Sequence, residues 1–131
     1  MNDLDRYQEL GTGINDVPDP VIEGALMIRH TLRGQMTSRE VWLDDMILLP
    51  LRSQEIVNHS PDGFCWGYGG SGPSQLALAI LLELLSKEDA FYHYQDFKQR
   101  LIAKLQGDFH IGFYLVDILD VPESEVRWLA L

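Results

Sequence analysis

Between Ser74 and Leu85 the chain places Leu76, Leu78, Ile80, Leu81, Leu82, Leu84 and Leu85, so a helix over these residues has almost no polar face. Such a helix is stable in water only when protein surrounds it on most sides, and the remaining elements must therefore wrap it. Gly72-Pro73 predicts its start, with Pro73 at the first helical position, where no N–H is needed. A second helix is predicted from Ser86, with Asp89 three residues on as in a capping box. Its apolar stripe is Ala90, Phe91, Tyr94, Phe97, Leu101, Ile102 and Leu105. Lys98, Arg100 and Lys104 suit the dipole of its C-terminal half, and Gly107 stops it.

Upstream the pattern is that of strands. Leu26-Met27-Ile28 predicts one, and Val41-Trp42-Leu43 and Met46-Ile47-Leu48 predict a hairpin turning at Asp44-Asp45, with Pro50 ending its second strand or placing it at a sheet edge. Phe109, Ile111 and Phe113 alternate as in a strand, residues 114–119 suit a helical turn, and Pro122-Glu123 opens a last short helix ending at Trp128-Leu129. Residues 1–24, with Gly11, Gly13, Pro18, Pro20 and Gly24, read as an irregular N-terminal arm. The expected fold is α+β: a small antiparallel hairpin or sheet packed on two or three helices, the first buried, forming a single domain over residues 25–131.

Charge narrows the function classes. Ten Lys and Arg against twenty Asp and Glu give a formal charge of −10, which repels phosphate backbones and anionic membranes. No direct nucleic-acid or membrane partner is expected; a basic protein surface is the complementary one. The longest apolar run, Leu76 to Leu82, is far short of the ~20 residues that span a bilayer. Cys65 is the only cysteine, so no internal disulfide forms, and Met1 to Asp5 lack signal-peptide character. A cytoplasmic location is expected.

The stretch from His59 to Pro73 stands apart, with five glycines interleaved with Phe64, Trp66 and Tyr68 and leading into the buried helix. Gly67, Gly69 and Gly72 fit G-x-G-x-x-G, but the helix runs into a second helix rather than a parallel βαβ unit. Pro73 stands where a P-loop needs Lys, and also where a nucleophile elbow centred on Ser71 needs Gly. A helix start still offers N–H groups to an anion; with Pro73 lacking one, Ser74, Gln75 and Leu76 are the expected donors. His30, His59, His93 and His110 are scattered without metal-ligand spacing, so no metal, cofactor or catalytic set is assigned, although His59 beside Ser60 is the one candidate base. Trp66 and Cys65 read as packing residues, whereas Tyr68, between two glycines, reads as an exposed stacking face. The candidate ligand- or partner-binding residues are His59, Tyr68, Gly69, Gly70, Ser71, Gly72 and Gln75.

His59-Ser60-Pro61-Asp62-Gly63-Phe64, Trp66-Gly67-Tyr68-Gly69-Gly70-Ser71-Gly72-Pro73, Gln75 to Leu81 and Tyr94 to Lys98 together resemble an uncharacterised family of bacteria, archaea and their phages, over roughly residues 39–105. The resemblance implies a place in phages and mobile elements, and with it a role in conflict with host defences such as an anti-CRISPR or other inhibitor. Two functions are therefore expected to compete. One is an acidic binding protein that engages a host protein; the other is a binder of a nucleotide or other phosphorylated ligand at the loop and helix start. An enzyme using His59 ranks behind both.

Overall fold

The computed structural model describes residues 27–119 and 129–130. Strand β1 (His30–Gly34) is followed by the hairpin β2 (Val41–Leu43) and β3 (Met46–Leu48). Helix α1 (Leu51–Ile56) leads through the glycine-rich loop to α2 (Ser71–Leu84) and α3 (Lys87–Arg100). A 3-10 turn (Ile102–Lys104), β4 (Phe109–Phe113), α4 (Leu115–Leu119) and β5 (Leu129–Ala130) complete the order. The sheet is antiparallel throughout, ordered β3-β2-β1-β4-β5, so β3 is an edge. The fold is α+β, as the sequence predicts.

Alternation sets one face of the sheet toward the helices. Leu32, Val41, Leu43, Leu48, Ile111 and Phe113 are buried in a single apolar cluster with Leu76, Leu78, Ile80 and Leu81 of α2. Every residue of α2 from Gly72 to Leu82 is buried, including polar Ser74 and Gln75. Helix α3 lies against α2 and closes the core through Ala90, Tyr94 and Phe97, the last packing its ring 5.9 Å from that of Phe113. Ser86 caps α3 by accepting the Asp89 N–H at 3.2 Å, the capping half of the predicted box.

The hairpin turns where expected, with Asp44 and Asp45 both in the left-handed region at φ 51° and 65°. Asp44 is held there by its carboxylate, which accepts the Thr31 N–H at 2.9 Å and meets His30 Nδ1 at 2.8 Å. Several boundaries differ from expectation. Leu26 lies outside the described residues, Met27 and Ile28 are exposed, and the strand is His30–Gly34, whose alternate residues face the core. Helix α2 begins at Ser71, two residues before the predicted Pro73 start, because extended Gly70 (φ −99°, ψ −158°) is its N-cap. Proline is tolerated at the third helical position because that N–H has no intrahelical acceptor either. Pro50 does not merely end a strand; it caps α1, a helix with no sequence signal of its own. Phe91, placed on the apolar stripe, is half exposed. The arm at 1–24 and the helix expected from Pro122 fall outside the described residues, although Leu129 is in a strand rather than at a helix end.

Leu76 is fully buried whereas Leu84 is only partly so. Leu76→Ala should cost ~2–5 kcal/mol and Leu84→Ala distinctly less, measured by urea denaturation; equal losses would place α2 differently in the core.

Candidate functional site

The loop is built from its anchors outward. Gln75, fully buried on α2, spends its whole amide on the segment before the loop. Its Oε1 accepts the N–H groups of His59 at 2.8 Å and Ser60 at 2.9 Å, and its Nε2 donates to Ser53 Oγ at 2.9 Å and the Val57 carbonyl at 3.1 Å. His59 Nε2 meets the hydroxyl of buried Tyr94 at 2.8 Å. Both residues were expected to face a ligand or partner; the Gln75 amide is instead used up, and His59 Nε2 engaged, in holding α1 and the 57–60 segment to α2 and α3. Trp66 pins the loop as expected, buried, with Nε1 donating to the Gly107 carbonyl at 2.7 Å and its ring edge-on to Phe109 at 5.0 Å.

Gly67 is demanded by the backbone path and Gly70 by the side chain packed on it. Gly67 has φ +89° and sits so close to the 3-10 turn that a Cβ would lie 2.8 Å from the Leu105 carbonyl oxygen. A Cβ on Gly70 would lie 2.5 Å from Tyr68 Cε2, because the tyrosine ring folds back over the helix start. Tyr68 is still 50% exposed, so one ring face is open as the sequence predicts. Burial around its hydroxyl, then the neighbouring Cys65 thiol, push the phenol above its ordinary pKa of 10.0, against the opposing pull of Arg39 and the Gly72 N–H. Tyr68 is therefore neutral at physiological pH. Cys65 is half-buried beside it.

The free donors lie upstream of where they were expected. The Ser74 N–H is taken by the Gly70 carbonyl at 3.1 Å, inside the helix, and the Gly72 N–H is engaged by the Tyr68 hydroxyl. By contrast, no acceptor among the described residues takes the consecutive N–H groups of Tyr68, Gly69, Gly70 and Ser71. Tyr68, Gly69 and Ser71 are exposed, so this row opens to solvent at the positive end of the 14-residue helix α2.

Sequence reasoning overlooked Lys98. It is only 7% exposed, and its Nζ donates to the Gly69 carbonyl at 3.3 Å with no carboxylate partner among the described residues. The signal was present, since Lys98 follows Tyr94 by four residues and precedes Leu101 by three, on the buried stripe. The exposed Arg39, in the left-handed region at φ 59°, is near enough for its charge to favour the ionised form of the Tyr68 phenol.

Residues 30–121 match a family of unknown function, DUF6166. The chain belongs to that family. Its match takes in strands β1 to β4, the loop, both long helices and Lys98, so the loop and its surroundings lie within the family's domain. No curated protein and no solved structure matches the chain.

Gly67→Ala should destabilise by ~1 kcal/mol or more, because both its positive φ and a backbone oxygen oppose the methyl group. Gly69→Ala should be nearly neutral, since its Cβ would meet only the Gln99 side chain at 3.8 Å. Equal costs in thermal melts would contradict this loop path. The Tyr68 phenol, followed by ultraviolet titration against a Tyr68→Phe control, should ionise above pH 10; ionisation at or below 10 would refute its surroundings as described. Because the folded-state value is the raised one, the stability this group contributes is complete below the unfolded pKa of about 10 and is lost as pH rises through the folded value.

Proposed function

We propose that the loop binds a small anionic ligand, a phosphorylated metabolite or nucleotide, with the anion on the amides of Tyr68 to Ser71 and a ring or sugar against the open face of Tyr68. One observation carries this reading: four consecutive backbone donors lie at a helix N-terminus beside the buried Lys98 ammonium, and among the described residues neither the donors have acceptors nor the ammonium a carboxylate partner. In a chain of formal charge −10, Lys98 at the Gly69 carbonyl and the positive influence of Arg39 on Tyr68 run against the overall sign. Ser71 adds a hydroxyl donor, whereas the Gln75 amide and His59 Nε2 hold the loop in place.

Binding of inorganic phosphate and of a panel of nucleoside mono- and triphosphates, measured by calorimetry, tests the reading. Wild type should bind at least one nucleotide; Lys98→Met should weaken it by about tenfold or more, with Lys98→Arg retaining most of the affinity. Tyr68→Ala should weaken the nucleotide while sparing phosphate, because it removes a stacking face and leaves the amides. Absence of binding across the panel, or affinity untouched by Lys98→Met, would refute it.

A further inference from the structure

The free edge of the sheet is as unusual as the loop. Among the described residues strand β3 pairs only with β2, and around it Met46, Ile47, Leu49 and Leu51 are 73%, 47%, 65% and 64% exposed. An unpaired edge is ordinarily blunted by lysines or covered by another element. Here it borders a groove of 560 Å³ floored by Leu43, Leu48 and Leu84 and running toward α1. Contiguous exposed apolar groups rimmed by charge mark an interaction surface.

The rim decides what fits. Asp44 and Glu83 line the groove, and Asp45 sits at the hairpin turn. Among the described residues that line it the one cation is Arg52, held 3.7 Å from Glu83, so the two largely offset each other. A second copy of the chain would bring −10 against −10, and residues 1–24 carry Asp3, Asp5, Asp16 and Asp19, again the wrong sign. We propose that the β3 edge docks an extended, apolar segment of a different protein whose flanks carry Lys or Arg. The segment adds as a further strand, its main chain pairing with β3 and its alternate side chains meeting Ile47 on one face and Met46 and the groove on the other. The basic flanks are drawn to the net negative charge that Asp44, Asp45 and Glu83 leave around Arg52, and this speeds the encounter. Of the three, Asp45 at the turn is the carboxylate not engaged by His30, Thr31 or Arg52. This surface is separate from the glycine-rich loop, and the proposal stands whether or not the loop binds an anion.

A displayed library of random peptides, panned against the full chain, tests the assignment. Recovered binders should be apolar in the middle and basic at the ends, and should bind more weakly as salt rises. Ile47→Ser and Leu49→Ser, both at exposed positions that leave the core intact, should each reduce their affinity by about tenfold, the scale of an interface hot spot. Lys98→Met should leave it unchanged. The proposal is overturned by a selection without binders, by binders that are acidic or neutral, or by binders indifferent to both substitutions. It is equally overturned if sedimentation shows a dimer of the chain that the two substitutions dissolve, since the occupant is then a second copy.

Discussion

A single buried amide organises this domain. Gln75 lies on the helix that the core surrounds, and its four hydrogen bonds reach Ser53, Val57, His59 and Ser60. An uncompensated amide in such a place would cost a few kcal/mol, so the helix can be buried only if the preceding segment comes to it. Helix α1 is six residues long and too short to persist alone; its place is fixed by Ser53 meeting Gln75 and by Gln54 reaching the Ser60 carbonyl at 2.9 Å. With the segment before the loop tied to α2 at Gln75 and the loop itself tied by Trp66 to Gly107, the chain between them has to turn in little space. The glycines answer that constraint first.

What remains after the structural demands are met is a row of amides, and its surroundings follow from the same packing. Because α3 closes over α2, Lys98 is carried into the interior and its ammonium emerges under Gly69. A buried cation is costly unless something compensates it, and one carbonyl oxygen at 3.3 Å is a modest compensation. Tyr68, folded over Gly70 with its hydroxyl toward Cys65 and Gly72, covers part of the helix end and leaves the amides before it open. Stability and site are thus divided along the loop: His59, Trp66 and Gln75 hold it, while Tyr68 to Ser71 face outward.

Those features that depend on local chemistry were legible in the sequence. The Asp44-Asp45 hairpin, the Ser86 cap, the alternation of Phe109, Ile111 and Phe113, and the buried character of α2 all follow from periodicity or from short-range hydrogen bonding. Those that depend on contacts across the fold were not. Helix α1 has no apolar period of its own. Gln75 looked like a ligand group because it is polar beside a glycine loop; in a helix buried on every side, that same polarity signals an internal clamp. Lys98 read as a dipole partner because its composition suited the end of α3, although its spacing from Tyr94 and Leu101 placed it on the inward face. Pro50 had offered an edge position for β3, but the exposure of Met46, Ile47, Leu49 and Leu51 was hidden because β-patterning does not tell which apolar side chains of an edge stay uncovered.

The division of the loop into a holding part and an open part is tested most directly by amide nuclear magnetic resonance of the full chain during titration with inorganic phosphate and then with a nucleotide. The account predicts saturable shifts of the Tyr68, Gly69, Gly70 and Ser71 amides, with the His59 and Ser60 amides still, because Gln75 already holds them. Shifts confined to other surfaces, or motion of the His59 and Ser60 amides with Tyr68 to Ser71 unmoved, would contradict it.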